Sequence, residues 1–273
     1  PTWAANKFVN TICLRKSNQI VFFKGIFMNN KVVIGIMPTI KGHDTEDYFL
    51  EQAVFVRNYA NQLYKLGASC IGILLNNLDV DIQTLDLCDG FLLPGGVCID
   101  RSWYEVIDYA IKTNKPLLGI CLGSQAIAFY SEMKNYLPEN YDINDMMKIY
   151  VKLKKESNNQ LLPELPSGNM HLHEVTKYNI DTAKHTIAIA DNTILKSIFN
   201  SNETNVVSLH YHDYRTVGKN FIISAVAPDG VKEAVEYDNK DYFILGVHFH
   251  IELEEAFPIL RRLVRECQKR KNV

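Results

Sequence analysis

The 273-residue sequence is poor in paired cysteines: its six, at positions 13, 70, 88, 98, 121 and 267, are scattered and form no C-x-x-C. That scatter suggests neither a disulfide framework nor a thiolate zinc site. No apolar run approaches the roughly 20 residues that a membrane-spanning helix requires. Net charge is nearly absent as well, with 29 basic residues against 31 acidic ones. So small an imbalance argues against a nucleic-acid binder that works by bulk electrostatics. There is no H-E-x-x-H, no internal repeat and no linker-like stretch that would divide the chain. What remains is ordinary globular composition, 47% apolar and 22% charged, which excludes wholesale disorder. The expectation is a cytoplasmic protein with neither a membrane nor a nucleic-acid partner.

The chain opens with Pro1, and before Met28 its longest apolar run is Ile20 to Phe23, shorter than a signal-peptide core. From Met28 the text changes, and Asn29-Asn30-Lys31 leads straight into Val32–Met37. Residues 1–27 are therefore expected to lie outside the core fold as an extension of uncertain role. An extra edge strand built on Ile20–Phe23 is the alternative. Residues 28–273 are expected to form a single domain.

Past Met28, strand-like and helix-like segments alternate. Val32–Met37 is a continuous apolar run of strand length, as in strands covered on both faces. Leu50, Ala53, Val54, Ala60, Leu63 and Leu66 predict a helix over 46–66, with Gly67 as its stop. Ser69–Leu75, Gly90–Leu93 and Pro116–Ile120 read as further strands, and a helix is expected from about Trp103 to Lys112. This order implies right-handed crossovers and a mostly parallel sheet with helices on both faces. The second half differs. Residues 134–170 are polar and show no clean period, and short β-like runs then dominate up to Phe243–Phe249. Asp229-Gly230 between two of them is a hairpin signal. A closing helix is expected from Glu252 to about Lys269. The fold class is α/β with a β-rich C-terminal half.

The sharpest chemical signal is Gly119-Ile120-Cys121-Leu122-Gly123, between a buried strand and a helix that begins near Ser124. A nucleophile on a tight strand-to-helix turn needs small neighbours, because the chain passes close by. At a helix N-terminus the thiolate form of Cys121 is favoured, and the Leu122 amide is placed to meet a developing oxyanion. Near the other end, His250 and Glu252 stand two residues apart, so they can share a face at a strand end. His250 would take the Cys121 proton while Glu252 holds its tautomer. Leu93-Pro94-Gly95-Gly96 ends a strand in two glycines, which lets the backbone approach a ligand at the sheet edge. Gly96 is the candidate for the second oxyanion donor and Gly95 adjoins the substrate.

Together these motifs resemble the class I glutamine amidotransferase family over about residues 30 to 268. Val207-Ser208-Leu209-His210 and Ala227-Pro228-Asp229-Gly230-Val231-Lys232-Glu233-Ala234 are similar to its gamma-glutamyl-gamma-aminobutyrate hydrolase branch. The resemblance implies a flavodoxin-like sheet and hydrolysis of a gamma-glutamyl amide through a thioester. It implies Cys121 as nucleophile, His250 as base and Glu252 as its partner. Gln125, Ser208, Leu209 and His210 would lie by a small gamma-glutamyl substrate. No metal or organic cofactor is implied, and a homodimer is an open expectation.

The sequence departs from the family in three places. The usual Gln-Trp-His-Pro-Glu is replaced by His248-Phe249-His250-Ile251-Glu252. Val97-Cys98-Ile99-Asp100 follows the double glycine in a shortened stretch, and a Gly-Gly turn after the nucleophile helix is missing from 126–137. Two rival functions share parts of the pattern. A glutaminase subunit passing ammonia to a synthase partner would use the same triad. A zinc-dependent hydrolase could use the H-x-H pairs 171/173, 210/212 and 248/250, since strand pairs can chelate from one face. It would leave the Cys121 turn without a purpose. His171, His173 and His212 otherwise read as surface or pocket-rim residues, and Lys148, Lys152, Lys154 and Lys155 as a solvated face.

Overall fold

The computed structural model describes residues 12–16, 19–23, 31–41, 52–75, 80–157, 162–166, 169–171, 179–253 and 258–271. The chain divides into two compact units, residues 1–31 and 32–273. In the first, β1 (Ile12–Lys16) and β2 (Gln19–Phe23) pair antiparallel, with Ile12 opposite Phe23. The Ile20–Phe23 run thus forms a strand in a two-stranded sheet with β1.

The second unit begins with β3 (Val33–Ile36), β4 (Thr39–Lys41), β5 (Gln52–Val54), α1 (Arg57–Lys65), β6 (Ser69–Gly72) and α2 (Ile82–Asp86). It continues with β7 (Gly90–Leu93), α3 (Arg101–Lys112), β8 (Leu117–Ile120), α4 (Leu122–Lys134) and α5 (Ile143–Glu156). Then follow β9 (Lys184–Ile189), α6 (Ile194–Phe199), β10 (Glu203–Val207), β11 (Phe221–Val226), β12 (Lys232–Tyr237), β13 (Ile244–Val247) and α7 (Pro258–Lys271). Nine strands make one sheet in the order β10-β9-β11-β12-β13-β8-β7-β3-β6. From β13 to β6 every pairing is parallel, whereas β12 joins β13 antiparallel and carries the antiparallel β11, β9 and β10 beyond it. This is the α/β sheet with a β-rich C-terminal half that the sequence predicts.

Alternation along the strands serves two cores, because successive strand side chains point to opposite faces. Leu92, Leu118 and Leu245 pack with Leu63 of α1 and Leu260 of α7. Phe91, Leu93, Leu117 and Ile244 pack on the other face with Val106 of α3, Ala126 of α4 and Met146 of α5. A strand buried on both faces must read as a continuous apolar run, which is why the central strands were legible.

Three expectations are corrected. The helix predicted over 46–66 starts only at Arg57, and Gln52–Val54 instead pairs antiparallel with Thr39–Lys41; residues 42–51 lie outside the described residues. The polar stretch 134–170 contains α5, whose start is fixed by a capping box between Asp142 and Asp145. Only Met146 and Leu153 of this helix are fully buried, but Ile143, Ile149 and Tyr150 pack partly buried against the same core, so a helical period is present beneath the surrounding charge. Its Lys148 side chain is solvated and pairs with Asp145. The closing helix starts at Pro258 rather than Glu252, which falls in a short 3-10 turn, Ile251–Leu253.

Candidate active site

At the carboxyl end of β8 the chain turns sharply into α4, and Cys121 is the turning residue. Its φ of 50° and ψ of −107° lie where a side chain is strained. The surroundings hold it there. The Cys121 amide donates to Val247 O at 2.8 Å, and its carbonyl accepts from the amides of Ser124 and Gln125 and from Ser124 Oγ. The flanking glycines are demanded by contact rather than by φ. A side chain at Gly119 would collide with the carbonyl of Gly123, and one at Gly123 with that of Leu93. Leu122 is the first residue of α4, so its amide has no acceptor within the helix.

The β13 strand ends beside this turn and delivers His250. His250 Nδ1 lies 2.6 Å from Glu252 Oε1, and both side chains are largely buried. Across the turn, a methyl group at Gly95 would sit 3.3 Å from Cys121 Cβ and 3.1 Å from His250 Cε1. Gly95 thus separates the two side chains from the rest of the double-glycine loop, and Gly96 packs beside Leu122. Burial alone would suppress protonation of His250, but the adjacent Cys121 and Glu252 charges outweigh it and hold the imidazole well above its ordinary value. Folding therefore raises the proton affinity of His250. Its stabilising effect is complete below the unfolded value of about 6.5 and is lost as pH rises through the folded one. Wild type is accordingly expected to lose thermal stability from neutral to alkaline pH more steeply than His250→Asn. Parallel melting-temperature profiles for the two would contradict this assignment.

A cavity of about 620 Å³ opens onto the turn, lined among others by Gly96, Cys121, Leu122, Gln125, Leu209, His210 and His250. Cys121 Sγ lies 3.9 Å from Leu209 O. Of the residues that the sequence assigned to the substrate, Gln125, Leu209 and His210 face this cavity, and Gly95 adjoins it. Ser208 does not line it: it is fully buried, and its hydroxyl is 2.8 Å from His185 Nε2. Tyr104, equally buried, reaches the cavity while packing inside the core.

Several polar residues of the site carried no sequence motif. Asn58 and Gln62 of α1 both donate to the Glu252 carbonyl, the latter at 2.9 Å. The Tyr59 hydroxyl accepts weakly from the Gly95 amide at 3.4 Å. Burial first, and then the Glu252 charge, push this phenol well above its usual range. The available signal was weak: among the buried residues of α1, Tyr59 and Gln62 carry polar groups beside Leu63. His248 was missed as a positioning group. It donates from Nδ1 to Lys232 O at 2.8 Å, and its Nε2 receives the Gln125 side-chain amide at 2.9 Å. Its ring is stacked between His210 and Tyr214. Burial and the neighbouring His210 hold His248 well below its ordinary value, so it stays a neutral acceptor for Gln125. The reading of His171 as a surface or rim residue is overturned, because its side chain is fully buried. His212 lines the cavity, and His173 lies outside the described residues.

A cysteine on a strained strand-to-helix turn, with a His–Glu pair at the end of the next strand, belongs to the class I amidotransferase architecture. The glutaminase domain of Trypanosoma brucei CTPS, solved with bound acivicin, superposes with a TM-score of 0.61 at 19% identity. That alignment covers 88% of this chain and 94% of the domain. The Peptidase C26 family pattern matches residues 98–252, and the chain belongs to that family, a glutamine amidotransferase-like group of hydrolases. Among relatives, the glutamine amidotransferase-like protein RP404 of Rickettsia prowazekii is 27% identical over 263 residues, with 82% of this chain and 92% of the relative covered. CTP synthase of Methanosphaera stadtmanae is also 27% identical, over 71% of this chain but only 36% of its own length. Among the described residues no helix is long and apolar enough to cross a membrane.

Proposed function

We propose that the protein hydrolyses a gamma-glutamyl amide through a thioester on Cys121. The observation that carries this reading is the meeting of Cys121 with the buried His250–Glu252 pair at the mouth of one cavity. In the proposed sequence, the Cys121 thiolate attacks the gamma-carbonyl carbon and the amides of Leu122 and Gly96 hold the oxyanion. His250 gives its proton to the departing amine, then takes one from the water that cleaves the thioester, which releases glutamate and restores the thiolate beside a protonated His250. Glu252 keeps the His250 proton on Nδ1 and stabilises the imidazolium. Gln125, held by His248, and the Leu209–His210 edge contact the glutamyl moiety. A gamma-glutamyl-GABA-like amide is the favoured substrate on the likeness of 207–210 and 227–234 to that hydrolase branch.

The likeness to CTP synthase favours a second reading, a glutaminase that delivers ammonia to a synthase partner. Glutamate release from a panel of gamma-glutamyl amides, glutamine and gamma-glutamyl-GABA included, separates the two. The isolated chain is expected to release glutamate unaided, and fastest from an amide bulkier than glutamine. Silence on every amide, or release only from glutamine, would favour the partner-dependent glutaminase.

A further inference from the structure

Beside Ser208, side chains from four segments converge on one carboxylate. Glu233 Oε1, on β12, lies 2.9 Å from His171 Nδ1, 3.6 Å from His185 Nε2 and 3.2 Å from His210 Nε2. Their exposures are 0% for Glu233, His171 and His210 and 7% for His185. Each histidine's other ring nitrogen faces an oxygen that can only accept. His171 Nε2 is 3.0 Å from Asp229 Oδ2, His185 Nδ1 is 3.3 Å from Thr186 O and His210 Nδ1 is 2.9 Å from His212 O. A neutral imidazole carries a single N–H, and these contacts commit it to the outer nitrogen. The inner nitrogens then turn three lone pairs toward a carboxylate oxygen. The Ser208 hydroxyl donates to Glu233 Oε2 at 3.4 Å, so it has no second proton for His185 Nε2 at 2.8 Å. His210 Nε2 stands in hydrogen-bond geometry with Glu233 Oε1 at 3.2 Å. So many acceptors around one point are stable only if a positive charge lies between them, which either a second proton on His210 or a bound cation supplies.

A proton on His171 does not satisfy the geometry. Its Nδ1 is close to Glu233 Oε1, yet it makes no hydrogen bond of acceptable angle and counts as a buried, unpartnered atom. A metal ion needs only the lone pair. The ligating atoms of His171, His185 and Glu233 lie within 4.8 Å of one another, and small side-chain shifts, which open the 2.9 Å His171–Glu233 pair and close the wider ones, bring them to the separations around an ion bound at about 2.0–2.2 Å. The outer contacts match the carboxylate and carbonyl partners that orient metal-bound imidazoles. We propose that His171 Nδ1, His185 Nε2 and Glu233 bind a divalent ion of the zinc class, with His210 Nε2 as the adjoining fourth donor. Imidazole nitrogen with one carboxylate suits zinc rather than magnesium or calcium. The ion would brace the wall that carries Leu209 and His210 and takes no part in the proposed thioester chemistry. The site does not use the H-x-H pairs: its histidines come from three separate segments.

The test is metal content and cobalt spectroscopy on the full chain. Protein produced with zinc and purified without chelator should retain one equivalent. After exchange, cobalt should give the visible bands of a four-coordinate nitrogen–oxygen site without a thiolate charge-transfer band. Cys121→Ala should bind zinc as wild type does, and His171→Ala should lose it. Asp229→Asn, at a partly exposed side chain, should weaken binding about 10- to 100-fold, which keeps the test decisive if His171→Ala does not fold. No zinc or cobalt bound above the buffer level would overturn the proposal and leave the cluster held by protons. Loss of zinc in Cys121→Ala, or a thiolate charge-transfer band, would overturn it by moving the ion to the nucleophile.

Discussion

Cys121→Ala is expected to lower glutamate release by at least about 10⁴-fold, because nucleophile loss removes the covalent route and leaves only binding and oxyanion contacts. The far-ultraviolet spectrum should not change, since the contacts that shape the turn come from backbone groups and Ser124 rather than from the thiol. Stability gives a second, independent readout. With φ at 50°, any side chain at 121 holds strain of about 1–3 kcal/mol, which glycine would release in part. Cys121→Gly should therefore be as inactive as Cys121→Ala and melt higher, by about 1 kcal/mol in unfolding free energy. A glycine variant that is both inactive and less stable would mean that the thiol supports the fold, and the strain argument would fail. An alanine variant with wild-type turnover would end the thioester mechanism outright.

The legibility of this site followed from where its constraints lie along the chain. Gly119, Cys121 and Gly123 are adjacent in sequence because the collisions that require glycine occur within one turn and against the neighbouring strand. His250 and Glu252 are likewise close in sequence, but the chain has already left β13 at Val247, and it is the 3-10 turn Ile251–Leu253 that carries Glu252 to His250 Nδ1. The support around them is not local. Asn58 and Gln62 reach Glu252 across 194 and 190 residues, and the Glu233 cluster draws on loops and strands from 171 to 233. No spacing rule announces such contacts. The departures from the family pattern acquire reasons only in three dimensions. The histidine at 248, where glutamine is usual, fills a slot between His210 and Tyr214 and fixes Gln125. Asp100, in the shortened stretch after the double glycine, caps α3 through the Ser102 amide. The fold followed the same division. Strands buried on both faces declared themselves, while α5, whose apolar positions are interleaved with Lys148, Lys152, Lys154 and Lys155, did not.

Glu252→Gln isolates the charge that orients His250, and its expected effect is a loss of turnover on the order of 10³- to 10⁴-fold. The substitution keeps shape. The Glu252 carbonyl remains held by Asn58 and Gln62, and a neutral amide replaces a carboxylate that is almost fully buried. What changes is the partner of His250 Nδ1, now 2.6 Å from a carboxylate oxygen. If glutamine presents its oxygen, the hydrogen bond survives but the charge stabilising the imidazolium is gone. If it presents its nitrogen, the His250 proton is driven to Nε2 and the lone pair turns away from Cys121. Both orientations impair proton transfer, and both lower the His250 proton affinity, because one of the two charges that raise it has been removed. The variant should therefore also lose the steep alkaline fall in stability expected of wild type. Turnover within tenfold of wild type, with that alkaline fall intact, would show that Glu252 does not govern His250 and would reduce the catalytic set to Cys121 and His250 alone.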